Sequence, residues 1–130
     1  MILTIRTDKP EAEVGLYFRA GQQRQYIKWQ AHRQLAETIH KKIDYILKAE
    51  DKNWQSITGI ICYAGPGSFT GLRIGISVAN AIAYSLGIPI ISGVGVDWVK
   101  QGIEKVANNK IEKQIAPIYG SNPNITVQKK

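Results

Sequence analysis

The most informative segment of the chain is Gly65-Pro66-Gly67-Ser68-Phe69-Thr70-Gly71-Leu72-Arg73-Ile74-Gly75. It follows the apolar run Ile60-Ile61-Cys62-Tyr63, which is typical of a buried strand, and it leads into a stretch with helical periodicity. A glycine- and proline-rich loop between a buried strand and a helix places several backbone N–H groups at the helix N-terminus, where anions bind well. The segment therefore indicates an α/β fold whose loop is a candidate site.

Three familiar loop motifs do not fit this segment. A P-loop ends in Gly-Lys-Ser/Thr, and the segment contains no lysine. A dinucleotide fingerprint requires Gly-x-Gly-x-x-Gly, whereas the third glycine here, Gly71, stands one residue late. A nucleophile elbow requires a glycine two residues on either side of its serine, and Ser68 has Pro66 and Thr70 at those positions. The loop pattern therefore assigns none of these three activities.

The helix predicted over residues 70–86 has more apolar surface than one sheet can cover. At about 100° per residue, its two apolar stripes together span more than half of the circumference. Gly71 and Gly75 predict a flat strip on which another helix backbone can pack closely. That backbone belongs either to a helix predicted over residues 33–49 or to another molecule, and two such helices in a short chain favour some intermolecular burial. The polar stripe consists of Thr70, Arg73, Ser77, Asn80 and Tyr84; the apolar stripes consist of Leu72, Ile76, Ala79, Ala83 and Leu86, and of Gly71, Gly75, Val78 and Ile82.

The rest of the chain predicts three strands followed by alternating helices and strands. Short segments rich in β-branched and aromatic residues predict an antiparallel meander over residues 2–7, 14–18 and 25–29. Further strands are predicted at 57–63 and 89–91, and a third, weaker helix at 97–107. The resulting order β-β-β-α-β-α-β-α predicts a mixed sheet, in which the later strands are parallel additions with right-handed crossovers.

The composition is that of an ordinary globular domain. The chain has 130 residues, of which 44% are hydrophobic and 21% charged, and this excludes a disordered tail or a fibrous repeat. Seventeen Lys and Arg against ten Asp and Glu give a formal net charge of +7. Because the basic residues are spread along the chain, a solvated surface and a diffuse attraction to RNA or another acidic partner both remain open.

No sequence feature predicts a membrane segment, a metal site or a cofactor. There is no signal peptide and no run of about 20 apolar residues, so a cytoplasmic protein is expected. The single Cys62 lies in an apolar run and is expected to be a buried thiol in a reducing compartment. His32 and His40 are too far apart in sequence to hold a metal without a third ligand nearby, so they are expected to be surface or interface residues.

The segment from Ile61 to Val94 resembles the TsaB (YeaZ) family. The resemblance rests on the contiguous Gly65–Gly75 motif, the alanine-rich helix after it, and Leu86-Gly87-Ile88-Pro89. The closing Pro117-Ile118-Tyr119, with Pro123 beyond it, also looks like the end of a family member. The resemblance implies an actin-like (ribonuclease H-like) lobe over residues 1–107 and a residual C-terminal segment and tail over residues 108–130.

Two departures from the family pattern bear on function. The family's first strand usually runs into Asp-Thr-Ser, whereas this chain has Arg6-Thr7-Asp8, which argues against nucleotide hydrolysis. Only 23 residues, 94 to 116, separate the motif region from the closing segment (116 − 94 + 1), too few for the family's second lobe. The sequence therefore predicts a one-lobe form of the family.

The resemblance implies a role in a complex rather than a reaction. In the family, two helices of this lobe pack against TsaD, the catalytic paralogue that transfers threonylcarbamoyl to the adenosine beside the tRNA anticodon, and the ATPase TsaE regulates the pair. We expect a non-catalytic scaffold that binds a TsaD-like protein, meets tRNA only through that complex, and can form a homodimer alone. The expected contacts are Leu35, Ile39, Ile43, Gly71, Gly75, Val78 and Ile82, with Arg73 at the polar edge, beside the motif loop Gly65, Pro66, Gly67, Ser68, Phe69 and Thr70. Gly75→Leu is expected to abolish the complex and leave the fold intact.

Two alternatives belong to other functional classes. One is an actin-like enzyme that binds ATP or phosphate with the motif loop, and it is weakened by Arg6 and by the missing second lobe. The other is a module that binds tRNA directly through its positive charge, with an affinity that falls steeply with salt.

Overall fold

A computed structural model describes residues 1–31 and 34–110 of the chain. The elements in chain order are β1 (Ile2–Arg6), β2 (Glu11–Tyr17), β3 (Gln23–Gln30), α1 (Leu35–Ala49), β4 (Gly59–Tyr63), α2 (Phe69–Leu86), β5 (Ile90–Gly93) and α3 (Trp98–Ala107). This confirms the predicted order of elements, with most ends within two or three residues of the predicted ones. The predicted helix start at Arg33 and the closing segment with Pro117, Tyr119 and Pro123 lie outside the described residues.

The five strands form one mixed sheet in the order β3-β2-β1-β4-β5. β1 pairs antiparallel with β2, and β2 with β3, which confirms the predicted meander. β4 pairs parallel with β1, and β5 with β4, which confirms the parallel additions. All five residues of β4 are buried, as expected for a parallel strand covered on both faces, whereas β3 is a largely exposed edge strand.

Side-chain alternation shows that α1 and α2 cover the same face of the sheet. Thr7 follows Ile5 by two residues and packs against Gly75 of α2. Trp29 of β3 donates from Nε1 to Thr38 Oγ1 of α1 at 3.0 Å, and the strand register places Trp29 on the same face as Ile5. The two helices therefore lie side by side on one layer.

α3 lies on the opposite face. A Cβ at Gly102 would contact the side chain of Ile61, which pairs with Thr4 in the strand register. Thr4 and Ile5 are neighbours in β1, so their side chains point to opposite faces of the sheet. α3 therefore lies on the face opposite to α1 and α2. Within the described residues, α1 and α2 therefore cover one face of the sheet and α3 covers the other.

Both α1 and α2 are anchored by apolar stripes that face the sheet. In α1 the buried residues are Leu35, Ile39, Ile43, Ile46 and Leu47. In α2 the stripe of Leu72, Ile76, Ala79 and Ala83 is buried in the same core. α2 ends where the sequence predicts, because Gly87 adopts the left-handed conformation (φ 66°) that a helix C-terminus favours.

None of the helices within residues 1–31 and 34–110 is long and apolar enough to cross a membrane. The predicted cytoplasmic location and the division into residues 1–107 and 108–130 stay predictions.

Candidate functional site

The glycines of the motif let α2 pack directly on the end of β1. A Cβ at Gly67 would lie 2.6 Å from Asp8 Cβ, and Cβ atoms at Gly71 and Gly75 would overlap the backbone oxygen and the hydroxyl of Thr7. Thr7 Oγ1 also donates a hydrogen bond to Gly71 O at 2.7 Å. The expectation that this strip admits another helix is therefore wrong, because the chain's own residues 7 and 8 occupy it.

The same contact overturns the expected outcome of Gly75→Leu. Gly75 is buried, and any side chain there would collide with Thr7. Overpacking of this kind displaces backbone and destabilises the fold. Gly75→Leu therefore cannot separate partner binding from folding.

Arg6 fixes the motif loop from the side of β1. Its Nε lies 2.7 Å from Asp8 Oδ1, and its guanidinium lies 3.9 Å from the centroid of the Tyr63 ring. Tyr63 in turn donates from its hydroxyl to Pro66 O at 2.6 Å. This ion pair, cation–π contact and hydrogen bond tie β1, β4 and the loop together. The residue that departs from the family pattern is thus engaged by its own neighbours.

The loop is also held from the side of β5. Gly95 N donates to Gly65 O at 3.1 Å, and Gly65 has φ 124°, a conformation that other residues rarely adopt. Pro66 follows in a cis peptide bond, and Ser68 precedes the first residue of α2, Phe69. Contacts with β1, with β4 and with the residues after β5 therefore hold the predicted motif loop in place.

A row of three depressions runs along the outer side of α1 and α2. One at the start of α2 is lined by Leu35, Thr70, Gly71 and Ile74, among others, and has a volume of about 310 Å³. The next, of about 370 Å³, is lined by Ala36, Thr70, Arg73, Ile74, Ser77 and Val78. The third, of about 520 Å³, is lined by His40, Trp54, Gln55, Ala81, Ile82, Ser85 and Leu86. We call the row formed by Ala36, His40, Trp54, Ile74, Val78, Ala81 and Leu86 the α1–α2 groove.

The predicted contact residues are divided between the core and this groove. Ile39 and Ile43 have no exposed surface, and Leu35 is 5% and Ile82 6% exposed, because the stripes that carry them face the interior. Val78 is half-buried, and Arg73 is exposed beside it. Their contact with a partner stays a prediction, and in the single chain Val78 and Arg73 present a surface whereas the core residues do not.

One wall of the groove is formed by residues that follow α1, and the sequence analysis does not predict it. A 3-10 turn at Trp54–Ser56 begins with a capping box between Asn53 and Ser56. The turn holds the Trp54 ring against His40, with ring centroids 6.0 Å apart. The pattern Asn53-x-x-Ser56 enclosing a tryptophan is a signal that could have identified this turn.

The titratable groups of the described residues include one buried thiol and no cluster that could hold a metal ion. No group of three or more His, Cys, Asp or Glu side chains is placed to hold a metal ion among these residues. Cys62 is buried, and burial raises the pKa of its thiol, so it stays protonated. The α1–α2 groove is consequently the described feature best suited to an interaction, because it combines apolar lining with exposure.

The fold defines the class of this protein as an actin-like α/β lobe. The structure of YeaZ from Pseudomonas aeruginosa superposes with a TM-score of 0.64, covering 72% of this chain and 43% of that chain at 24% sequence identity. At this identity the similarity establishes the fold alone. It confirms the predicted actin-like lobe with its mixed sheet.

Sequence comparison then identifies the family. A family model described as TsaD, tRNA N6-adenosine threonylcarbamoyltransferase, matches residues 29–116. Because this match spans more than half of the chain, the protein belongs to the family that this model describes.

Individual relatives carry the transferase name or the name TsaB. The tRNA N6-adenosine threonylcarbamoyltransferase of Geotalea uraniireducens is 38% identical over 73 residues, which are 56% of this chain and 20% of that protein. The tRNA threonylcarbamoyladenosine biosynthesis protein TsaB of Haemophilus influenzae is 29% identical over 90 residues, which are 69% of this chain and 37% of that protein. The chain thus spans well under half the length of these two relatives.

Proposed function

We propose that this protein is a non-catalytic scaffold in tRNA threonylcarbamoyladenosine biosynthesis. In this proposal it binds a TsaD-type catalytic subunit, which transfers threonylcarbamoyl to the adenosine beside the tRNA anticodon. A TsaE-type ATPase in the same complex and a homodimer in the absence of the catalytic subunit are finer parts of the proposal.

The observation that carries the proposal is the α1–α2 groove. Its half-buried or exposed side chains, such as Ile74, Val78 and Ala81, are largely apolar and lie in line along one helix. Two helices side by side with an apolar furrow between them suit the helices of a partner, which can pack ridges into that furrow. Burial of such a surface supplies the main favourable free energy of most associations.

The chain's similarity to TsaD-named proteins raises a catalytic alternative, and Arg6 weighs against it. Arg6 stands where the family resemblance puts an acidic residue, and it is paired with Asp8 and stacked on Tyr63. An arginine in that place brings positive charge and no metal-ligating oxygen. This supports a scaffold over a nucleotide-using enzyme.

The proposal is tested by co-expressing the tagged chain with the TsaD-type protein of the same organism. Ala81→Glu introduces a charge at an exposed helical position that lines the groove, so the fold should tolerate it. Burying that charge without a partner is costly, so we expect the catalytic subunit to be lost from the purified complex.

The matched control is Val96→Glu. Val96 is 95% exposed in the connection between β5 and α3, it is not among the residues that line the groove, and the charge change is the same. We expect it to retain the partner at the wild-type level. Retention by both variants would refute the assignment of this face.

A further inference from the structure

We propose that a second groove, between β3 and the opposite flank of α1, binds the phosphate backbone of RNA. It lies at the open edge of the sheet, has a volume of about 540 Å³, and is lined by Ile27, Lys28, Thr38, Lys41, Lys42 and Tyr45. We call it the lysine groove. This inference rests on the proposed function, since the RNA would be the substrate that the catalytic subunit modifies.

The charges around the lysine groove favour a polyanion. Lys41 is exposed and Lys42 is half-buried on α1. The exposed Lys28 lines the groove from the edge strand β3, where its side chain leaves from the face opposite to Trp29 and across from Glu13. Within the described residues none of the three lysines forms an ion pair. Lysines that line one groove attract phosphates and release condensed counterions when they bind them.

The acidic groups near the lysine groove do not cancel this charge. Asp44 is paired with Lys48, whose Nζ lies 2.8 Å from its Oδ2. Glu50 is paired with Arg24 at 2.9 Å. Glu37, in the first turn of α1, is the remaining carboxylate on the described part of this helix, and it is not among the residues that line the groove. The groove therefore keeps an excess of positive charge.

The wall of the lysine groove is held in place by side-chain contacts. Trp29 Nε1 donates to Thr38 Oγ1 at 3.0 Å, and Thr38 Oγ1 donates to Gln34 O at 2.8 Å. Lys42 Nζ lies 5.8 Å from the centroid of the Trp29 ring. A surface ordered before binding loses less conformational entropy when the ligand arrives.

Tyr45 gives the lysine groove a second feature suited to RNA. Its side chain lines the groove and the residue is 65% exposed, which is unusual for a large aromatic residue. Exposed aromatic rings beside basic side chains stack on unpaired bases while the basic groups hold the backbone. A peptide added to the edge of β3 would use backbone hydrogen bonds instead and would leave these lysines without partners.

The two grooves can be occupied together. Ala36 and His40 face the α1–α2 groove, whereas Lys41 and Tyr45 face the lysine groove, so they lie on opposite flanks of one helix. A catalytic subunit docked on the first flank leaves the second open to its RNA substrate. The scaffold would then contribute RNA affinity to the complex.

The test compares two triple variants of the full chain that lose the same charge. The first is Lys28→Gln/Lys41→Gln/Lys42→Gln in the groove. The second changes three exposed lysines elsewhere, Lys52→Gln/Lys100→Gln/Lys110→Gln. Binding of a fluorescently labelled tRNA transcript is measured by anisotropy as salt is raised from about 50 mM, where the phosphate contribution to affinity is large.

We expect weak binding by the wild type and a steep dependence on salt. Each lost phosphate contact lowers the slope of log affinity against log salt by about 1, so the groove triple should lower it by roughly 2–3 and the control triple by less than about 1. Equal slopes for the two triples, or no binding by the wild type at low salt, would overturn the proposal.

Co-purification with the TsaD-type subunit separates this inference from the proposed function. The groove triple should retain the subunit, and Ala81→Glu should bind RNA with the same salt slope as Val96→Glu. If the groove triple instead lost the subunit and kept its RNA slope, the groove would be a protein interface and the RNA assignment would be wrong.

Discussion

Thr7 is the residue whose side chain packs against the glycines of α2. Its hydroxyl donates to Gly71 O, and its side chain fills the space that a Cβ at Gly75 would need. Helical glycine is otherwise a weakness, since alanine is favoured over glycine in a helix interior by about 1 kcal/mol. The two glycines are therefore explained by close contact with β1 rather than by helix formation.

Helix propensity alone predicts that Gly75→Ala stabilises the protein. Because of the contact with Thr7, we expect this substitution to destabilise it instead. We expect a loss of about 1–3 kcal/mol in the free energy of unfolding, typical of an overpacked core. Thr7→Ala in the same chain removes the colliding hydroxyl and methyl groups, so the loss caused by Gly75→Ala should be smaller in that background. Urea denaturation of the four proteins of this cycle measures the coupling. A stabilised Gly75→Ala variant would show that the contact does not form.

The sequence correctly predicts close packing on Gly71 and Gly75, but the expectation that another helix packs there is wrong. Spacing of four residues on a helix places two glycines on one strip, which is local information. The group that fills the strip comes from residues 7 and 8, more than 60 positions away (71 − 7 = 64). Its place depends on β1 and β4 pairing in parallel, so only the assembled sheet reveals it.

α1 illustrates the same limit for a whole element. The recurrence of apolar residues at helical spacing correctly predicted an amphipathic helix, and its apolar stripe was assigned to a partner. The structure places Ile39 and Ile43 on the sheet of the same chain. An apolar stripe indicates burial, but periodicity does not distinguish burial inside a chain from burial between chains.

Ile39→Ala distinguishes these two cases for α1. If the stripe belongs to the chain's own core, the isolated protein should lose about 2–5 kcal/mol of its free energy of unfolding. Glu37→Ala, on the exposed side of the same helix, is the control and should change it by less than about 0.5 kcal/mol. The measurement is chemical denaturation of the chain alone. Near-equal stabilities of the two variants would mean that Ile39 is not in the core.

In the assembled lobe the two flanks of α1 differ: one lines the largely apolar α1–α2 groove, and the other lines the lysine groove. The order of strands and helices and the parallel additions follow from the sequence, because most elements have a recognisable periodicity or composition of their own. The two grooves did not follow, because each combines residues of separate elements, such as Trp54 with Leu86, and Lys28 with Tyr45. Only the fold shows that three of the chain's lysines line one groove.

If the α1–α2 groove receives the catalytic subunit, the bound subunit shields the side chains of the groove from solvent, and side-chain footprinting measures this shielding. Trp54 lines this groove, and Tyr45 lines the other, so oxidative labelling of the two rings reports on the two flanks separately. On saturation with the TsaD-type protein, we predict that labelling of Trp54 falls several-fold while that of Tyr45 is unchanged. Unchanged labelling of Trp54 in a saturated complex, or protection of Tyr45 instead, would show that the catalytic subunit does not bind in the α1–α2 groove.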